Sequence, residues 1–111
     1  MKLIEIITQL GLKPLDGVRD TDVTGAYASD LLSDVVGNAK PGNLLITIQV
    51  HRNVVAVASL VNLSAVIMAN GRTPESDVLD AAREHGVTLL STSDTAFTTA
   101  GRLYALGLRS A

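Results

Sequence analysis

The sequence predicts an α/β fold, a three-layer α/β/α sandwich around a mostly parallel sheet of about four or five strands. Three observations lead there. Short apolar runs at Val23–Tyr27, Leu44–Val50, Ala65–Met68 and Val87–Leu90 are each bounded by turn residues, as buried strands are. Segments with helical spacing of apolar residues fall between them, and right-handed crossovers would lay those helices over the sheet faces. At 111 residues the chain is long enough to bury a core without staples. It is read as one domain over 1–111, with 1–21 an N-terminal helix and connector and 22–108 the repeating βα core.

The first helix rests on Leu3, Ile4, Ile6, Ile7 and Leu10 at helical spacing, closed by Gly11 as the residue just past its end. Residues 12–22 are turn-rich (Pro14, Asp16-Gly17, Asp20) and predict a connector with a short strand near Leu15–Val18. The strand Val23–Tyr27 leads to a helix over Asp30–Val36, with Ser29 as its N-cap and Gly37 as its stop. Pro41-Gly42-Asn43 makes a turn into Leu44–Val50, where Ile46, Ile48 and Val50 alternate with Thr47 and Gln49. Asn53 caps the next predicted helix, Val54–Val61, which is apolar nearly all round and so expected to be buried on more than one side. After Ala65–Met68, Thr73-Pro74 supplies an N-cap followed by proline at the first helical position. That helix buries Val78, Ala81, Ala82 and His85 and stops at Gly86. Ser93 or Asp94 caps the last helix, whose inner stripe is Phe97, Ala100, Leu103 and Tyr104.

Composition removes several function classes. There is no cysteine, so disulfides, thiolate zinc sites and cysteine-ligated iron–sulfur clusters are excluded. Nine basic against 11 acidic residues leave a net charge of −2 and no electrostatic footprint for nucleic acid. Aromatic residues make up 3%, which leaves little surface on which bases would stack. The apolar run Val54–Met68 is interrupted by Ser59, Asn62 and Ser64 and falls short of the ~20 residues of a membrane span. Lys2 and Glu5 in the first apolar stretch predict no secretory leader, and hence a cytoplasmic protein. An apolar content of 47% is high for a short chain, which predicts a homodimer hiding part of it.

In a parallel α/β sheet, ligands bind beyond the carboxyl ends of the strands, where loops and helix N-termini converge. Polar residues gather there. Ser29 and Asp30 follow the first strand; Gln49, His51, Arg52 and Asn53 the second; Asn70, Gly71, Arg72 and Thr73 the third; Ser91, Thr92, Ser93, Asp94 and Thr95 the fourth. Helix N-termini favour anions, and Arg52 or Arg72 would add charge-assisted hydrogen bonds to a phosphate or carboxylate. Ser29, Asn53, Thr73 and Asp94 are equally the residue types that cap helices, at ~1 kcal/mol each, with no ligand involved. His51 alone does not make a catalytic centre, since no nucleophile-elbow or kinase signature accompanies it, and His85 has no metal-ligand spacing to it. The pairs Asp30/Asp34 and Asp77/Asp80 read as solvated helix faces. The sequence therefore predicts no enzyme, no metal and no cofactor. It predicts either a regulatory domain sensing a small anionic metabolite or nucleotide, or a protein-interaction module docking a larger enzyme.

Three stretches add a resemblance. Tyr27-Ala28-Ser29-Asp30-Leu31-Leu32-Ser33-Asp34-Val35, Ile46-Thr47-Ile48-Gln49-Val50-His51-Arg52-Asn53-Val54-Val55-Ala56-Val57-Ala58 and Ala100-Gly101-Arg102-Leu103-Tyr104-Ala105-Leu106-Gly107 are similar to stand-alone members of the DRTGG-domain family. The similarity runs over about residues 2–108. It implies an α/β/α sandwich and a regulatory role, similar domains being fused to CBS pairs and phosphotransacetylases and resembling the N-terminal domain of HPr kinase. The pentapeptide that gives the family its name is altered here: Gly71-Arg72-Thr73-Pro74-Glu75 keeps the Arg-Thr pair and lacks the two glycines after it.

Overall fold

The computed structural model describes residues 1–111. In chain order the elements are α1 (Leu3–Leu10), β1 (Lys13–Pro14), β2 (Gly25–Ala28), α2 (Leu32–Asn38) and β3 (Asn43–Thr47). They continue with α3 (Arg52–Val61), β4 (Ala65–Met68), α4 (Ser76–His85), β5 (Leu89–Ser91) and α5 (Ala96–Ala105). The five strands form one sheet in the order β1-β5-β4-β3-β2. β2 to β5 are parallel, and β1 adds to the β5 edge in antiparallel register, with Pro14 opposite Leu90. An edge strand is where a residue lacking an N–H is tolerated.

Alternation along the central strands defines the layers. Leu44, Ile46, Ala65, Ile67 and Leu90 pack with α1 and α5 residues on one face. Leu45, Val66, Met68 and Leu89 pack with α2, α3 and α4 on the other. Every residue of β3 and β4 is buried, which is what a sheet covered on both sides requires. No helix is long and apolar enough to cross a membrane.

Several local expectations shift, each for a physical reason. β3 ends at Thr47, so Ile48–Val50 are loop and not the end of a strand over Leu44–Val50, and Thr47, the polar member of the expected alternation, is buried with its apolar neighbours. The first strand pairing falls on Lys13–Pro14 rather than Leu15–Val18. α2 starts at Leu32, because the Ser29 hydroxyl takes the Leu31 N–H in a tight local turn (3.2 Å) and Asp30 is drawn to β3. Gly37 lies inside α2 and does not stop it. α3 buries only Val54, Val55 and Ala58, leaving Leu60 72% exposed, so it has one inner face and not several. α4 begins at Ser76 with Glu75 as its N-cap position; Thr73 and Pro74 belong to the extended link leading to it, and His85 is exposed. Thr95, not Ser93 or Asp94, caps α5 by accepting from the Thr98 N–H. The inner stripe of α5 is Thr99 and Leu103; Phe97 and Tyr104 face outward, 88% and 60% exposed.

The Tyr27 hydroxyl donates to Asp34 Oδ2 at 2.9 Å and ties β2 to α2, so Asp34 is not merely a solvated surface group. That hydroxyl above all, with Ser29 and Asn38, holds the Asp34 carboxyl below its usual 3.8. The same hydrogen bond raises the Tyr27 phenol above 10.0. The folded state therefore binds fewer protons at Asp34 than the unfolded chain does. The stabilisation is complete above 3.8 and is lost as pH falls through the lower folded value. In urea titrations, Tyr27→Phe is expected to be less stable than the wild type at neutral pH. The gap should narrow as pH falls below 3.8 and close once pH has passed the lower folded value; a gap independent of pH would mean the hydroxyl acts by packing alone.

Candidate functional site

The crossovers decide which loops meet. α2, α3 and α4 all lie on one face of the sheet, so the loops after β3 and β4 both turn toward that face. The starts of α3 and α4 are thereby set side by side, with a cavity of about 360 Å³ between them. Gln49, His51, Arg52, Arg72, Glu75 and Asp77 line it, joined by Val50 and Val78. Of the residues expected at this edge, the structure gathers Gln49, His51, Arg52 and Arg72. Asn53 lines a smaller adjoining cavity of about 200 Å³ with His85.

The remainder are kept apart by the same topology. After β5 the chain crosses to the opposite face to form α5, and Thr92, Ser93 and Asp94 go with it. Asp94 is engaged in a 2.9 Å ion pair with Arg102, which also donates to the Leu10 carbonyl. The Thr92 hydroxyl accepts from the Asp94 N–H. Asn70 and Gly71 both have positive φ (62° and 66°), with the Arg72 N–H returning to the Ala69 carbonyl. That is a type I′ turn, for which Asn-Gly is the favoured pair. The turn is fastened to the 92–94 loop by N–H donation from Asn70 to Asp94 O and from Gly71 to Thr92 O. Asn70 thus aims Arg72 without lining the cavity, and Thr73 is an exposed link residue.

The floor of the β3 loop is set by Asp30, which the sequence suggested was a solvated surface carboxylate. Its Oδ1 accepts from the Thr47 hydroxyl and from the Ile48 N–H, both at 2.8 Å. Gln49 follows with its side-chain amide donating to the Asp30 carbonyl (3.1 Å). His51 takes the N-cap role expected of Asn53: its Nδ1 accepts from the Asn53 N–H at 3.1 Å, so Nε2 carries the proton of the neutral ring.

The charges around the cavity are unevenly satisfied. Arg19 donates to Gly86 O, Arg83 pairs with Asp16 and Asp80, Arg102 with Asp94, and Arg109 donates to Leu108 O. Arg52 and Arg72 alone among the arginines have a guanidinium with no hydrogen-bond or ion-pair partner, and both line this cavity. Glu75 and Asp77 line the same cavity; the sequence placed Asp77 on a solvated helix face and gave Glu75 no role at the site. They follow Arg72 at the α4 start, where acidic residues usually serve the helix dipole. The signal that places them is the extended link over Thr73–Glu75, which ends at the cavity wall.

The DRTGG domain family model matches residues 22–106. No curated protein matches the chain. Among solved structures, the chain is similar to the CBS and DRTGG domains of the regulatory region of a Clostridium perfringens pyrophosphatase, which was crystallised with its activator, diadenosine tetraphosphate. The TM-score is 0.70 at 16% identity, and the match covers 96% of this chain and 47% of that one. Identity at that level speaks for the fold, and the chain spans about half of that regulatory region. The family model covers most of the sequence, from the first parallel strand through the last helix, and on that ground the chain belongs to the DRTGG domain family.

Proposed function

We propose that this chain is a non-catalytic, ligand-sensing regulatory domain, cytoplasmic and dimeric, which binds a small anionic metabolite or nucleotide between the starts of α3 and α4. The observation that carries the reading is the pair of unpartnered guanidinium groups, Arg52 and Arg72, at one cavity of about 360 Å³. That volume falls at the small end of ligand pockets. Two free arginines suit the oxygens of a phosphate or carboxylate, while Glu75 and Asp77 suit hydrogen-bond donors such as ribose hydroxyls or an amino group. A nucleotide carries both kinds of group. The activator bound by the pyrophosphatase regulatory region, a dinucleotide, is of that class. Gln49 and His51, each fixed by hydrogen bonds, add donors at the rim. Exposed Phe97 and Tyr104 support the dimeric part of the reading.

The test is a calorimetric titration with diadenosine tetraphosphate, ATP, acetyl phosphate and citrate. At least one is expected to bind saturably. Arg72→Ala is expected to weaken that ligand by about 10–100-fold, the size of one or two lost charge-assisted hydrogen bonds. Asp94→Ala, outside the cavity, should leave affinity within about twofold of the wild type when both are folded. Silence across the panel, or equal affinity after Arg72→Ala, would overturn the site.

A further inference from the structure

Helix α5 carries an outward flank that the fold uses only at its edge. Phe97 and Tyr104 lie seven residues apart, within about 20° of each other around the helix, and are 88% and 60% exposed. Between them stand Gly101, exposed, and Ala100, which sits at the flank's inner border half-buried against the core. The order is therefore aromatic, small, small, aromatic, with its midpoint between the two small residues. Gly101 has ordinary backbone geometry, and nothing lies within 4 Å of where its Cβ would be. A glycine inside a helix is destabilising relative to alanine, so packing within one chain gives no reason for it. Beside this flank opens an apolar cavity of about 330 Å³, lined by Ala26, Ala28, Ile46, Ala100, Leu103 and Tyr104 among others.

We infer that this flank of α5 and the apolar cavity beside it form a self-complementary dimer surface, whose occupant is a second copy of this chain with its α5 antiparallel. A two-fold axis between Ala100 and Gly101 brings Phe97 of one copy against Tyr104 and the cavity of the other, and the reverse, as an isologous contact requires. The small residues at the crossing let the helix axes approach to the short end of the usual 8–10 Å, roughly. The charges agree with this occupant. α5 carries no carboxylate, and its one cation, Arg102, is held away on Leu10 O and Asp94. Arg109 lines the cavity and is the one cation at this face; its guanidinium is held in place over the Tyr104 ring at 3.9 Å and by the Tyr104 and Leu108 carbonyls. At their observed exposure the two rings offer roughly 300 Å² per copy. That is over a third of the ~800 Å² each partner hides in a standard interface, and the cavity lining adds to it.

This names the surface for the dimer proposed above and rests on that reading. The absence of cysteine makes a clean test available, because one introduced thiol per chain is unique. Gly101→Cys places two thiols beside the axis, offset by about 1.5 Å per residue along each helix and within reach of a disulfide. Leu60→Cys, on α3 at the opposite face of the sheet, is the control. Sedimentation of the unmodified chain is expected to show a dimer, with Phe97→Ala raising its dissociation constant at least tenfold. Mild oxidation is expected to give a covalent dimer from Gly101→Cys and not from Leu60→Cys. A monomer throughout would overturn both this surface and the dimer, and the calorimetric titration would still judge the ligand site by itself. A dimer that cross-links through Leu60→Cys, or one indifferent to Phe97→Ala, would overturn this surface alone.

Discussion

Gly25→Ala is expected to lower stability by about 1–3 kcal/mol, the usual range for forcing extra volume into a packed site. A Cβ at Gly25 would lie 2.7 Å from the carbonyl oxygen of Arg109 and 3.3 Å from Asn43 Nδ2. The first of these is backbone and has no rotamer by which to step aside. That oxygen accepts the Ala26 N–H at 2.9 Å, the contact that lays the C-terminal residues along the outer edge of β2 as a short parallel bridge. Moving it breaks the hydrogen bond and strains the anchorage of Arg109, whose guanidinium is tied to Tyr104 O and Leu108 O. Hydrogen exchange should therefore report faster exchange at Ala26 together with the fall in chemical stability. Gly37→Ala is the matched control, since it lies inside α2 with nothing within 4 Å and ordinary backbone geometry. It is expected to gain up to ~1 kcal/mol. Equal behaviour of the two variants would mean that the close approach at Gly25 carries no energy.

Gly25 also shows what a sequence withholds. The layers, the parallel sheet and the order of strands and helices were legible, because burial on two faces demands continuous apolar runs and turns demand Gly, Pro, Asn and Asp. A glycine required by the approach of residue 109 to residue 25 is a fact of tertiary packing, and no local pattern marks it. Helix starts failed for a related reason. Ser29, Asn53, Thr73 and Asp94 have capping chemistry, yet the caps that form are His51 and Thr95, while α2 and α4 have no side-chain cap. The chain's path from the sheet edge to the helical layer fixes where each helix begins, and that path is three-dimensional. The polar edge was legible in the same coarse way. What spacing left open was its division: the β5 loop feeds a helix on the far face and takes Thr92, Ser93 and Asp94 with it. Phe97 and Tyr104 were read as core because helical period identifies a stripe without saying whether it faces the sheet or something outside the chain.

Asp30→Ala is expected to be the costlier change at the site, at about 2–4 kcal/mol, although Asp30 itself is exposed. The argument runs through its partners. Thr47 is completely buried, and its hydroxyl reaches Asp30 Oδ1 at 2.8 Å while also accepting from the Gln49 N–H at 3.1 Å. The Ile48 N–H uses the same carboxylate oxygen. Removing the carboxylate leaves a buried hydroxyl and a strand-end N–H without an acceptor, and unsatisfied donors cost more than the bonds they replace gain. Asp30→Asn keeps an acceptor oxygen and should lose less than half as much. Thr47→Val in the Asp30→Ala background should cost less than Thr47→Val alone, giving a coupling of about 0.5–3 kcal/mol in a double-mutant cycle. The same network fixes the segment Ile48–His51 that carries Gln49 and His51 to the cavity. Asp30→Ala should therefore weaken the anionic ligand at a temperature where the variant is still folded, with no loss of a ligand contact of its own. Lost stability with unchanged affinity would separate this network from the site and leave it a device of the sheet alone.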